Sequence, residues 1–283
     1  MGDIGPISQR TDHGTLRLYT HNIWCRHGDW SERRRVLIDG IQALEPDLIT
    51  FQETVVLGGD DQVSEILGSD YQVVHSHERS PDGMGISIAS RWPIHDTVEL
   101  DLNLTPRTGD FACTTVIAEI DAPEPFCPLL LVNHFPDYQV DHEHERELQT
   151  LLAARAIEER VRDRATHVLL SGDLDAEPDA ASLRFLAGKQ SLDGLSVCYR
   201  NAWDAVRPGE PGETYVAGNP LAPDDWPFQR IDHIFIRCGE HGGPTLRIVG
   251  CDRVFDEAID GVWASDHFGL IADFAPYPGG GPQ

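Results

Sequence analysis

His167-Val-Leu-Leu-Ser-Gly-Asp-Leu-Asp-Ala-Glu-Pro-Asp179 reads as a short buried strand that ends abruptly in acid. Val168 to Leu170 are apolar without alternation, as in a strand covered on both faces. Asp173 and Asp175 follow at once, then a turn at Pro178, with Asp179 expected to cap the next helix. One acid at a strand end is commonplace and usually solvated.

Working outward, the same event recurs. Asn22 ends the apolar run from Leu16 to Ile23, and Gln52-Glu53 ends the run from Asp47 to Phe51. Asn133-His134 ends Leu129 to Val132, Asp232 lies inside Arg230 to Ile236, and Asp266-His267 immediately precedes Phe268 to Phe274. Solvation alone does not explain so many strands delivering Asn, Asp, Glu or His at an edge. Together they describe one rim where carboxylates converge, and converging carboxylates need a cation. Oxygen donors with few His and no Cys suit a hard ion, Mg²⁺ or in its place Mn²⁺. That ion keeps part of its shell for water and phosphate oxygens, which points to phosphate ester chemistry.

Further strands are expected at Met84 to Ser90, Phe111 to Ile120 and Arg247 to Val254. Leu37, Ile38, Ile41 and Leu44 share one helical face, and Glu143 to Arg164 reads as a long charged helix. Several strands adjoin with no helix between them, so a purely parallel sheet does not fit. The expected class is α+β: two packed, mainly antiparallel sheets flanked by helices, a four-layer αββα sandwich. The expected organisation is a disordered lead over 1–15, one catalytic domain over 16–275 and a flexible tail over 276–283. The Gly- and Pro-rich stretch Gly188 to Asp225 is long for a loop, and loops of that length are usually functional or ordered by the site they border.

The ordered set T-H-N-I-W (20–24), F-Q-E (51–53), N-H-F (133–135), S-G-D-L-D-A-E-P-D (171–179), R-I-D-H-I-F (230–235) and S-D-H-F (265–268) resembles the endonuclease/exonuclease/phosphatase superfamily, the deoxyribonuclease-I-like fold. Each motif alone is weak; six in order across Leu16 to Phe274 are specific. The resemblance implies a Mg²⁺-dependent phosphoesterase in which Asn22, Glu53 and Asp266 serve the metal, Glu53 foremost. Asp173 would orient and deprotonate the attacking water. His267 would contact the scissile phosphate, with Asp232 fixing its tautomer and His134 as a second phosphate-contacting group. One position departs from the family: its G-D-x-N pattern carries Asp175 where Asn is usual. A carboxylate facing phosphate is repulsive unless neutralised, so either a second cation sits near Asp175 or the transition state is held differently. Arg107 is the nearest candidate for the expected basic residue. Trp24 and Trp263 lie close enough to the rim to be substrate walls, whereas Trp30 and Trp226 read as core.

The formal net charge of the 283 residues is −25. Proteins that grip long phosphate backbones usually show a basic stripe. Here the densest basic run is Arg33-Arg34-Arg35, read as a solvated helix face. Acidity therefore favours a small or medium-sized phosphate ester as substrate over nucleic acid. The alternatives are an endo- or exonuclease on DNA or RNA and a catalytically inactive binding protein of the same fold. The six Cys form no C-x-x-C pair and read as free, mostly buried thiols. No apolar run approaches the roughly 20 residues of a membrane span, the start reads as cytoplasmic, and no obligate protein partner is evident. Alternation sends His21 and His233 to the faces opposite their site neighbours. The run Asp141 to Glu147 reads as a solvated helix start, since His142 and His144 do not share a helix face.

Overall fold

Two βαβ units organise the chain. In the first, β1 (Leu16–Asn22) runs into α1 (Trp30–Leu44), which returns to β2 (Leu48–Leu57), parallel to β1 with Leu18 beside Leu48. The computed structural model describes residues 14–109, 111–161, 166–239 and 242–278. Most of the expected lead and tail therefore lies outside the described residues. After β2 come β3 (Asp60–Asp61), α2 (Gln62–Leu67), β4 (Gln72–His75), β5 (Met84–Ser90), β6 (Ile94–Asp101) and β7 (Thr114–Ile120). The second unit is β8 (Leu129–Phe135), α3 (Glu143–Arg160) and β9 (His167–Asp173), again parallel, with Leu129 beside His167. The remainder is α4 (Ala181–Leu186), β10 (Tyr199–Asn201), α5 (Ala202–Val206), β11 (Asp232–Arg237), β12 (Arg247–Val254) and β13 (Gly269–Ala275). A parallel pair needs a crossover long enough for a helix, whereas the antiparallel neighbours need none.

One sheet has the order β12-β13-β1-β2-β5-β4, with β3 beside β2; the other has the order β10-β11-β9-β8-β7-β6. Between them lies a core that includes Leu16, Leu18, Leu48, Ile86 and Phe274 from one sheet and Val116, Leu129, Leu131, Leu169 and Ile234 from the other. The outer face of the first sheet is covered by Val36, Leu37, Ile41 and Leu44 of α1 with Val63 and Ile66 of α2. That of the second is covered by Leu151, Ala154 and Ile157 of α3 with Leu183, Phe185 and Leu186 of α4. The result is the expected αββα sandwich, its sheets mixed because each carries one parallel pair. β1, β2, β8 and β9 all end on the same rim.

Local differences from the sequence reading have plain causes. β4 and β6 escaped it because both are sheet edges of mixed exposure and carry no buried run. Ala180, not Asp179, precedes α4 and offers no side-chain cap; instead the carboxylate of Glu143 accepts from the Ser182 N–H at 2.7 Å. Arg33 is not solvated: it is 2 % exposed and donates to the carbonyls of Ile23, His27 and Ala264. Within the charged start of α3, Glu145 and Arg146 are likewise buried, Arg146 bonded to the carbonyls of Asp137 and Gln139. Among the described residues no helix is long and apolar enough to cross a membrane.

Candidate active site

Glu53 reaches the rim through a bulge. The pairing of β2 with β5 slips between Phe51 and Thr54, and Glu53 takes a left-handed φ of 53°. A bulge of this kind re-aims a side chain at the cost of local pairing. The opposite sheet stabilises it: Gln52 Nε2 donates to Asn133 Oδ1 at 2.7 Å, and Asn133 Nδ2 donates to the carbonyls of Phe51 and Ser87.

Asp173 sits at the end of β9, where the chain passes very close to β8. A Cβ on Gly172 would lie 2.1 Å from the His134 carbonyl oxygen, and Gly172 has a φ of 153°, so only glycine fits before this aspartate. Asp175 follows with a left-handed φ of 47°, its N–H donating to Asp173 Oδ1 at 3.2 Å. Asn22 joins the two sheets. Its amide nitrogen donates to Glu53 Oε1 and to Asp173 Oδ2, both at 3.0 Å, and its Oδ1 accepts from the Trp24 N–H. Asn22 thus bridges the two carboxylates through its amide nitrogen.

His267 completes the row. Its Nδ1 lies 2.9 Å from Asp232 Oδ2, and its Nε2 points towards Asp173 Oδ2 at 3.8 Å. The Thr214 hydroxyl donates to the same Asp232 oxygen, and the Asp232 N–H donates back to Thr214 Oγ1. Asp266 is held by the Ser265 hydroxyl, which stands between Asp266 Oδ1 and the Asn22 carbonyl. Burial opposes charge on His267, but Asp232, Asp173 and Asp266 overcome it and lift its pKa well above the ordinary histidine range. Burial pushes the Asp173 carboxyl well up, helped by Asp175. It raises Asp175 to about 7 and Asp266 to about 6.

Carboxylates of Glu53, Asp173, Asp175, Asp232 and Asp266 thus meet one imidazole. Among the described residues no Arg or Lys forms an ion pair with Glu53, Asp173, Asp175 or Asp266. This excess of acid over base is what a divalent cation neutralises. Glu53, Asp175 and Asp266 offer carboxylate oxygens that could hold one. Asp173, Asp232 and His267 also place ligand atoms within 4.8 Å of one another, but the 2.9 Å contact already engages Asp232 with His267.

Two expected residues, His134 and Arg107, behave differently. His134 is fully buried; its Nδ1 meets Thr115 Oγ1 at 2.7 Å and its Nε2 meets Thr150 Oγ1 at 3.4 Å. Desolvation lowers its pKa to about 3, so it is a neutral packing group and not a source of positive charge. Arg107 turns away to pair with Asp141 and Glu145. Trp263 stacks on Phe268. Trp24 stays at the rim, half-buried beneath the Arg33 guanidinium.

The sequence reading missed Thr214, Tyr215 and Asn219. All lie in the long Gly188 to Asp225 stretch, whose length was the only signal. Asn219 Nδ2 donates to the carbonyls of Ser265 and Asp266, and the Phe268 N–H donates to the Thr214 carbonyl. The Tyr215 ring lies 4.6 Å from the ring of His267.

A family model for the endonuclease/exonuclease/phosphatase family matches residues 19–267. The chain belongs to this family. Members of the endonuclease/exonuclease/phosphatase family are generally phosphoester hydrolases that depend on divalent metal. Solved structures repeat the fold. Truncated Caenorhabditis elegans TDP2 aligns at a TM-score of 0.72 with 17% identity, covering 92% of this chain and 97% of that one. D. rerio TDP2 complexed with single strand DNA product aligns at 0.71 with 18% identity, covering 92% and 98%. The human Nocturnin catalytic domain with bound sulfate aligns at 0.69 with 19% identity, covering 94% of each. A search of curated proteins returned no match.

Proposed function

We propose that this protein is a Mg²⁺-dependent phosphoesterase that hydrolyses a phosphomonoester or phosphodiester by in-line attack of water. The observation that carries the reading is the row Asp232–His267–Asp173, joined to Glu53 through the Asn22 amide. Asp173 receives the proton of the attacking water; burial and Asp175 raise its carboxyl in the direction that makes it a stronger base. His267 carries a proton on Nε2 towards the phosphoryl oxygens, while Asp232 accepts a hydrogen bond from Nδ1–H and holds the ring in place. Asn22 keeps Asp173 and Glu53 in register. Glu53 and Asp266 would hold the cation, whose charge offsets that developing on the phosphoryl oxygens.

The substrate is a small or medium-sized phosphate ester. The net charge of −25 and the engagement of Arg33, Arg107 and Arg146 in internal contacts support this. A second reading, a nuclease or nucleic-acid end-processing enzyme, gains from the single-strand DNA product seen in D. rerio TDP2, which weighs against the expectation from acidity alone. The test is turnover of bis-p-nitrophenyl phosphate, p-nitrophenyl phosphate, nucleotides and single-stranded oligonucleotides, with Mg²⁺ and with EDTA. Mg²⁺-dependent release that EDTA abolishes is expected. Full activity in EDTA, or none on any ester, would overturn the reading, and preferred cleavage of oligonucleotides would put the second reading first.

A further inference from the structure

Tyr215 stands where no motif placed a functional residue. Its main-chain N–H donates to the Gln229 carbonyl at 2.9 Å. On one side Thr214 is locked to Asp232, and on the other Asn219 is locked to Ser265 and Asp266. The segment is therefore pinned to the same residues that position His267. The phenol ring packs at 4.6 Å and 50° against the imidazole of His267. The ring thus stands beside the acid-lined His267, and burial first, then the charges of Asp266, Asp173, Glu53 and Asp175, raise the pKa of the phenol above its ordinary range. Among the described residues no side chain or carbonyl accepts a hydrogen bond from the Tyr215 hydroxyl.

A half-buried donor held in a rigid wall and left without an acceptor is poised for one that arrives with the substrate. We propose that Tyr215 is a further substrate-binding residue, its hydroxyl donating to a non-bridging phosphoryl oxygen while its ring supports the edge of His267. The inference rests on the phosphoesterase reading of the site and deepens it. The ligand feature recognised is a phosphate oxygen, whatever the rest of the ester. Asp175, which cannot donate as the usual Asn would when ionised, leaves one donor fewer at this phosphate. Tyr215 supplies a donor from a different strand connection. Its protonated state makes it a hydrogen-bond donor rather than a nucleophile, so no covalent step is assigned to it.

The experiment compares wild type, Tyr215→Phe and Tyr215→Leu by calorimetric titration with inorganic phosphate in Mg²⁺, and by turnover of bis-p-nitrophenyl phosphate. Removing a hydrogen bond to a charged oxygen should weaken phosphate binding and lower kcat/KM by about ten- to a hundredfold in Tyr215→Phe. The thermal midpoint should stay at the wild-type value. Tyr215→Leu, which also removes the ring, should in addition move the His267-dependent limb of the pH–rate profile; Phe should not. Equal phosphate affinity in wild type and Tyr215→Phe overturns the proposal, as does a wild type that binds no phosphate. A wild type that binds phosphate but cleaves no ester overturns the phosphoesterase reading alone, and the affinity comparison still decides Tyr215.

Discussion

His267 and Asp232 meet at 2.9 Å, Nδ1 to Oδ2, with both residues buried and the Thr214 hydroxyl on the same carboxylate oxygen. That contact turns the second nitrogen of the imidazole towards Asp173 and raises the pKa of the ring against the cost of burial. Asp232→Asn should lower turnover by about ten- to a hundredfold, the usual cost of losing an orienting partner. The pH–rate profile tells this from a packing defect. The active form carries the proton, so activity falls as pH rises through the His267 pKa. Removing Asp232 lowers that pKa, and the falling limb should move to lower pH.

Asp173→Asn should cost about two to four orders of magnitude in turnover, the range of a general base, with the circular dichroism spectrum unchanged. Near-normal turnover in this variant would mean that another group takes the proton.

Glu53→Gln should weaken Mg²⁺ binding, read by calorimetric titration, because it removes the only charge that the bulge in β2 delivers. Asn22→Ala should leave Mg²⁺ affinity closer to wild type yet still lower turnover. Its oxygen is bonded to the Trp24 N–H, and its amide orients Asp173 and Glu53. Equal loss of Mg²⁺ affinity in the two variants would instead make Asn22 a ligand.

Stability without metal should fall as pH rises from about 6.5 through the raised pKa values of Asp175, Asp173 and His267. Asp173 and Asp175 have folded-state pKa values raised above their unfolded values, Asp175 to about 7. The native state therefore keeps protons that the unfolded chain has released, and stability declines as pH rises through the folded pKa. The raised His267 acts with the same sign. His21, His134 and His233 have lowered values of about 4, 3 and 4, and act only below about pH 6.5, where stability falls as pH drops. Thermal melts in EDTA should show the alkaline decline, Mg²⁺ should raise the midpoint more at pH 8 than at pH 6, and Asp175→Asn should flatten the curve. A metal-free midpoint constant across this window would contradict the assigned shifts.

Oligonucleotide binding should depend weakly on salt. Arg33, Arg107 and Arg146 are held by internal carbonyls and carboxylates, and a net charge of −25 opposes long-range attraction of a polyanion. Filter binding of a single-stranded oligonucleotide should give a log–log salt slope of magnitude below about 2. A steeper slope would favour the nuclease reading.

What the sequence by itself determined was the ring of acids and the sandwich that carries it. Apolar runs closed by Asn22, Glu53 and Asp173, or preceded by Asp266, were legible because strand burial and an abrupt polar boundary are both local patterns. So was Gly172, whose place before Asp173 belongs to the S-G-D motif, although its reason is the His134 carbonyl on the neighbouring strand. Tertiary structure alone decided which polar side chains are available. The polar ends looked alike in one dimension, but Asn133 stitches the bulge, His134 is sealed between Thr115 and Thr150, and Asn22 spends its oxygen on a backbone N–H. Arg33 and Arg146 read as solvated charge, yet each is buried under loops that it pins. Tyr215 had no periodicity to betray it, because a long loop acquires its shape from hydrogen bonds to Asp232, Ser265 and Asp266, residues remote in sequence. A residue's type is written in the chain, but whether its donors and acceptors are already satisfied depends on neighbours that only folding supplies.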